Sequence, residues 1–116
     1  MSDLNEIKRE IIEFIKERNW EQFHTPKNLA IAIGAEAGEL LECFQWKSDD
    51  DIKAMIESKE VEMMSDEIAD IVIYSFSLCN SMGIDLEMAI LDKIKKNGKK
   101  YPVEKCIGSS KKYSEL

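Results

Sequence analysis

The sequence predicts an all-α fold, a bundle of four or five helices, and three observations lead there. Proline stands only at Pro26 and Pro102, leaving the stretch between free to be helical. Glu, Lys, Ile, Leu, Ala and Met dominate a chain that is 44% hydrophobic and 34% charged, a helix-favouring mix. No segment has the two-residue alternation or β-branched density of a strand. There is no internal repeat. At 116 residues the chain reads as one helical domain over 1–104, with a polar, mobile tail over 105–116.

The first helix is capped by Ser2 or Asp3 and carries Leu4, Ile7, Ile11, Phe14 and Ile15 at helical spacing until near Asn19. "NWEQFHTPKN" follows as an ordered loop. Thr25 then caps a second helix with Pro26 at its first position, running to about Trp46. "KSDDD" is an exposed acidic turn, followed by a short or frayed helix through Met55 and Ile56. A long helix covers about Glu60 to Met82, with Val61, Met64, Ile68, Ile71, Val72, Phe76 and Cys79 on one broad face. Gly83 is its left-handed C-terminal residue, and Asp85 caps the next helix. That last helix is expected to stop near Asn97 at Gly98, with Pro102 beyond.

The charge is −7, from 16 Lys and Arg against 23 Asp and Glu, which argues against polymeric nucleic acid as a partner. A small phosphorylated ligand remains open, because a divalent cation can bridge it to carboxylates. Cys43, Cys79 and Cys106 are too few and scattered for a disulfide framework or a zinc site. Small buried thiols in a reducing compartment are the plainer reading. With no secretory leader and no apolar run of membrane-spanning length, a cytoplasmic location is expected, away from any membrane.

The second helix, "IAIGAEAGELLECF", carries acids where apolar residues belong. Leu29, Ala32, Glu36, Glu39, Cys43 and Trp46 share one stripe by helical spacing. The long helix repeats the arrangement with Glu67, Asp70 and Tyr74, Ile71 beside them. So the chain carries E-x-x-E on one helix and E-x-x-D on another, each expected to face inward or into a cleft. Crowded carboxylates repel and lose hydration, and they stay ionised with a cation between them. An all-oxygen donor set selects Mg²⁺ first and Mn²⁺ second. Zinc would want Cys or His, and a ferritin-like di-iron site would want Glu-x-x-His pairs that this chain lacks. Solvated surface acids, or pairs with lysines such as Lys93, are the plainer alternative. Glu42 stands second to the four. Ala30, Gly34, Ala37 and Gly38 form a small-residue side. Each glycine costs about 1 kcal/mol relative to alanine in a helix, so a close helix approach is expected there.

"NWEQFHTPKNLAIAIGAEAGELLECFQW" and "DEIADIVIYSFSLCNSMGIDLEMAILDKIKKNGKKYP" together resemble the MazG-like all-α nucleoside triphosphate pyrophosphohydrolases, most closely their dCTP pyrophosphatase branch. The resemblance runs from about Asn19 to Tyr101, and the ending "SSKKYSEL" also looks like that branch. It implies hydrolysis between the α- and β-phosphates of a nucleotide, giving a monophosphate and pyrophosphate. Carried over residue by residue, it puts Glu36, Glu39, Glu67 and Asp70 in the catalytic Mg²⁺ roles. Lys93 and Asn97 fall where the family contacts phosphate and sugar, with Tyr74 on the same cleft. Trp20, His24 and Trp46 fall where the branch encloses the base. Gly98 stands where relatives carry a basic residue. The implied substrate is dCTP or a 5-substituted dCTP, with purine nucleotides poor. The implied assembly is a homo-oligomer, a tetramer or otherwise a dimer. Two other readings remain: a pyrophosphohydrolase with another or broader nucleotide preference, and a non-enzymatic helical assembly module.

Overall fold

The computed structural model describes residues 3–116, so the suggested Ser2 cap lies outside the described residues. Six helices follow in order: α1 (Leu4–Glu17), α2 (Pro26–Phe44), α3 (Asp49–Glu57), α4 (Glu62–Ser81), α5 (Leu86–Lys100) and α6 (Val103–Cys106), then a 3-10 turn over Tyr113–Glu115. No strand occurs among the described residues. The all-α expectation holds.

Most starts are written in short side chains. The Glu6 N–H donates to the Asp3 carboxylate at 2.9 Å, and the Asn28 N–H to the Thr25 hydroxyl at 3.2 Å. Pro26 at the first position of α2 spends no donor, since the first N–H groups of a helix have no internal acceptor. Asp85 accepts from the Met88 N–H at 3.0 Å. Gly83 adopts φ +68°, the left-handed geometry expected of it.

Met1–Gly83 forms one compact unit and Ile84–Leu116 another. In the first, α2 packs along α4, and α1 meets α4 over a shorter length. The core is small: Ile11, Leu29, Cys43, Met64 and Phe76, joined by Ser77. In the second, Tyr113 meets Tyr101 edge-on at 6.2 Å, and the Lys100 ammonium lies 4.8 Å from the Tyr113 ring centre.

Four details differ from the sequence reading. The acidic segment expected as a turn is itself the first turn of the short helix α3, because Ser48 and Asp51 exchange hydrogen bonds as a capping box. Helix α5 runs through Gly98 to Lys100; Gly98 keeps a negative φ inside the helix, and the break comes where Tyr101, ahead of Pro102, leaves helical backbone at φ −123° and ψ 67°. Ile68 and Val72 are exposed at 51% and 45%, so α4 buries a narrower stripe than its apolar pattern suggested. A Cβ at Gly34 or Gly38 would meet nothing within 4 Å among the described residues, so the close helix approach expected there is not made by them. The core contact of α2 runs along Leu29 and Cys43 instead.

Candidate active site

Helix spacing brings the acids together. Glu36 lies seven residues from both Leu29 and Cys43, which are buried, so it shares their side of α2. Glu67 lies one turn beyond buried Met64, and Asp70 and Tyr74 continue that line on α4. Because α2 and α4 are the closely packed pair, the two lines meet. One carboxylate oxygen from each of Glu36, Glu67 and Asp70 lies within 4.8 Å of the others. All three residues are half-buried, whereas Glu39 and Glu42 are exposed.

The cluster is electrostatically crowded. The adjoining Glu36 carboxyl, loss of hydration and the neighbouring Glu39 carboxyl together raise the Glu67 carboxyl to about 7. Tyr74 is pushed above its ordinary value by burial first, then by the charges of Glu36, Asp70 and Glu39. Glu36 Oε2 and Glu67 Oε2 are hidden from solvent with no hydrogen-bond partner. No Lys or Arg compensates them; among the described residues the one ion pair joins Arg18 and Glu17. Buried oxygens of like charge without a donor suit a hard divalent cation, and the donor set fits Mg²⁺ or Mn²⁺.

A cavity of about 400 Å³ opens beside the acids, lined by α1, the loop before α2, and α4. Its aromatic residues form a sequence of neighbouring rings: Phe14 to Trp20 at 5.8 Å, Trp20 to His24 at 6.1 Å, and His24 to Tyr74 at 6.4 Å. The loop is held by its backbone. The Phe23 and His24 N–H groups donate to the Trp20 carbonyl, and the Asn28 amide donates to the Phe23 carbonyl at 3.0 Å. Asp70 and Tyr74 line this cavity too, so the acidic cluster and the aromatic cavity share Asp70.

The structure thus gathers Glu36, Glu67, Asp70, Tyr74, Trp20 and His24, with Glu39 at the edge. Trp46 is not among them: α2 ends at Phe44, and Trp46 sits beyond it at φ +65°, 93% exposed. Lys93 and Asn97 are exposed positions one turn apart on α5, in the second unit. The sequence reading passed over Glu10, which lines the cavity from α1. Its signal was the one that exposed Glu36, a carboxylate set between apolar residues at helical spacing (Ile7, Ile11 and Phe14).

The helical scaffold and this arrangement define a class. The chain belongs to the MazG-like family, which it matches over residues 31–116. It is an enzyme of the pyrophosphatase kind, a hydrolase, as its similar proteins make plain. It is 41% identical over 114 residues to dCTP pyrophosphatase 1 of Rattus norvegicus, a match covering 97% of this chain and 67% of that protein. To dCTP pyrophosphatase 1 of Bos taurus it is 42% identical over 114 residues, covering 97% of this chain and 68% of the relative. Among solved structures, a pyrophosphatase from Archaeoglobus fulgidus is similar with a TM-score of 0.77 and 37% identity, over 88% of this chain and 94% of that one.

Proposed function

We propose that this protein is a Mg²⁺-dependent nucleoside triphosphate pyrophosphohydrolase that cleaves dCTP, or a 5-substituted dCTP, to the monophosphate and pyrophosphate, a housecleaning activity on the nucleotide pool. The observation that carries the reading is the sharing of Asp70 between an unpartnered acidic cluster and a ring-lined cavity. One side suits a metal-bound polyphosphate and the other a base and sugar. The names of the dCTP pyrophosphatase 1 relatives support the choice of nucleotide.

Glu36, Glu67 and Asp70, with Glu39, would hold the metal. Mg²⁺ bound there supplies charge neutralisation of the triphosphate and a more acidic water. Trp20 and His24 hold the base, and Tyr74 lies against the sugar. The Tyr74 phenol stays protonated well above neutral pH, so it can donate a hydrogen bond. One carboxyl of the four takes the proton of the attacking water while the cavity keeps the reacting phosphate in line. Lys93 and Asn97 contact phosphate and sugar, and Trp46 contributes to base enclosure, as the resemblance implies. We place the activity in a single domain over 1–104, in a cytoplasmic homo-oligomer, a tetramer or otherwise a dimer. No helix among the described residues is long and apolar enough to cross a membrane.

The test is product analysis across the four common deoxynucleoside triphosphates, CTP and dUTP, with and without Mg²⁺. Pyrophosphate and dCMP released fastest from dCTP, only with metal, is the expected result. Orthophosphate as the first product, or metal-independent turnover, would refute it. A purine nucleotide ahead of dCTP would refute the base assignment alone.

A further inference from the structure

The polar groups of the aromatic cavity differ in what they can read. The Ser77 hydroxyl commits its one donor to the Ile73 carbonyl at 3.1 Å and is itself buried, so its remaining acceptor lone pairs carry no charge and little access. Asp70 belongs to the acidic cluster. His24, by choice of tautomer, and Tyr74, by rotation of its hydroxyl, can each donate or accept, so neither imposes a pattern. Glu10 is different. It lines the cavity from α1 and makes no side-chain hydrogen bond or ion pair with the described residues. Its carboxylate accepts only. It stands in a stripe otherwise made of Ile7, Ile11 and Phe14, whose rings and methyls line the same space.

We infer that Glu10 is a specificity-determining residue, its carboxylate accepting from the 4-amino group of cytosine. The inference rests on the cytosine-nucleotide reading above and deepens it. Cytosine presents an N4–H₂ donor where uracil and thymine present the O4 acceptor. A fixed acceptor gains a hydrogen bond from the first and faces lone pairs on the second. Stacking on Trp20 and His24 cannot make this distinction, because every base has a ring face. A site that leaves its own polar group unpaired against the wrong base rejects that base more sharply than one that only fits poorly. The carboxylate therefore supplies what the aromatic rings lack.

The experiment compares kcat/KM for dCTP and dUTP in the full chain and in Glu10→Gln at saturating Mg²⁺. The glutamine amide keeps the shape but can turn either its oxygen or its NH₂ toward the base. The dCTP preference should fall about ten- to a hundredfold, the range supported by a hydrogen bond to a charged group, chiefly through KM and with dUTP turnover retained. An active variant with an unchanged ratio would overturn the role of Glu10 while leaving the cytosine-nucleotide reading standing. A wild-type protein that prefers dUTP would overturn both. Quenching of tryptophan fluorescence in the wild-type protein reads the same contact without turnover or mutation. The expected affinity order is dCMP, then the deoxynucleotide of 2-pyrimidinone (which lacks the amine), then dUMP. Equal affinity for the first two would show that the amine is not read.

Discussion

Glu67 concentrates the chemistry of the site into one carboxyl. With no cation beside it, the group is raised to about 7 from an ordinary 4.5 by Glu36, by lost hydration and by Glu39. A carboxyl raised by folding binds its proton more tightly in the folded chain. Its stabilising contribution is therefore complete below about pH 4.5 and is lost as pH rises through about 7. In EDTA, the melting temperature should fall between pH 5 and pH 8, and Glu67→Gln should flatten that fall. Millimolar Mg²⁺ should raise the melting temperature most at the alkaline end, because there the cation meets ionised carboxylates without displacing a proton. A metal-free melting temperature that rises over the same interval in the wild type would contradict this account. Glu39→Gln and Asp70→Asn each remove a charge rather than a packing contact. Each should lower Mg²⁺-dependent turnover by about a hundredfold or more with the helical circular dichroism unchanged.

At the scale of elements, the caps and the glycines make separate predictions. Helix α3 has nine residues and no buried side chain, so its capping box matters more than it would on a long, packed helix. Ser48→Ala should cost about 1 kcal/mol and speed amide exchange across Asp49–Glu57, with α2 and α4 unaffected. Gly98 lies inside α5 with helical backbone and open space where a Cβ would go. Gly98→Ala should therefore stabilise the chain by up to about 1 kcal/mol in denaturant melts. A loss of stability would mean that Gly98 meets something outside this chain.

For the molecule as a whole, the small core stands against large apolar exposure. Leu41 is 71% exposed, Met63 72% and Ile68 51%, all on the same helices that carry the acids. Exposed apolar surface of this kind suits an association face, as the proposed homo-oligomer requires. Light scattering should return a multiple of the 13.3 kDa chain mass, four for the proposed tetramer, at micromolar concentration. Met63→Glu should shift that mass downward. A mass of one chain in the wild type would exclude the oligomer.

The sequence by itself determined the helices, their caps and the two acidic lines, because helical spacing and short capping side chains are local properties. Thr25 before Pro26 and Gly83 before Asp85 could be read without any knowledge of packing. So could the placement of Glu36 with the buried side of α2, since a seven-residue spacing is fixed by the helix alone. What only the tertiary structure decided is which lines meet. Packing of α2 along α4 joined Glu36 to Glu67 and Asp70, left Glu39 at the edge, and raised the Glu67 carboxyl. The packing of α1 against α4 turned Glu10 from one of many surface acids into a wall of the aromatic cavity. Ile68 and Val72, which spacing alone had counted as core, stay exposed on α4. Trp46 left its stripe because α2 ended two residues earlier, at Phe44, and the backbone turned left-handed at Trp46 itself. Spacing says which side chains share a face; only the neighbouring element says what that face meets.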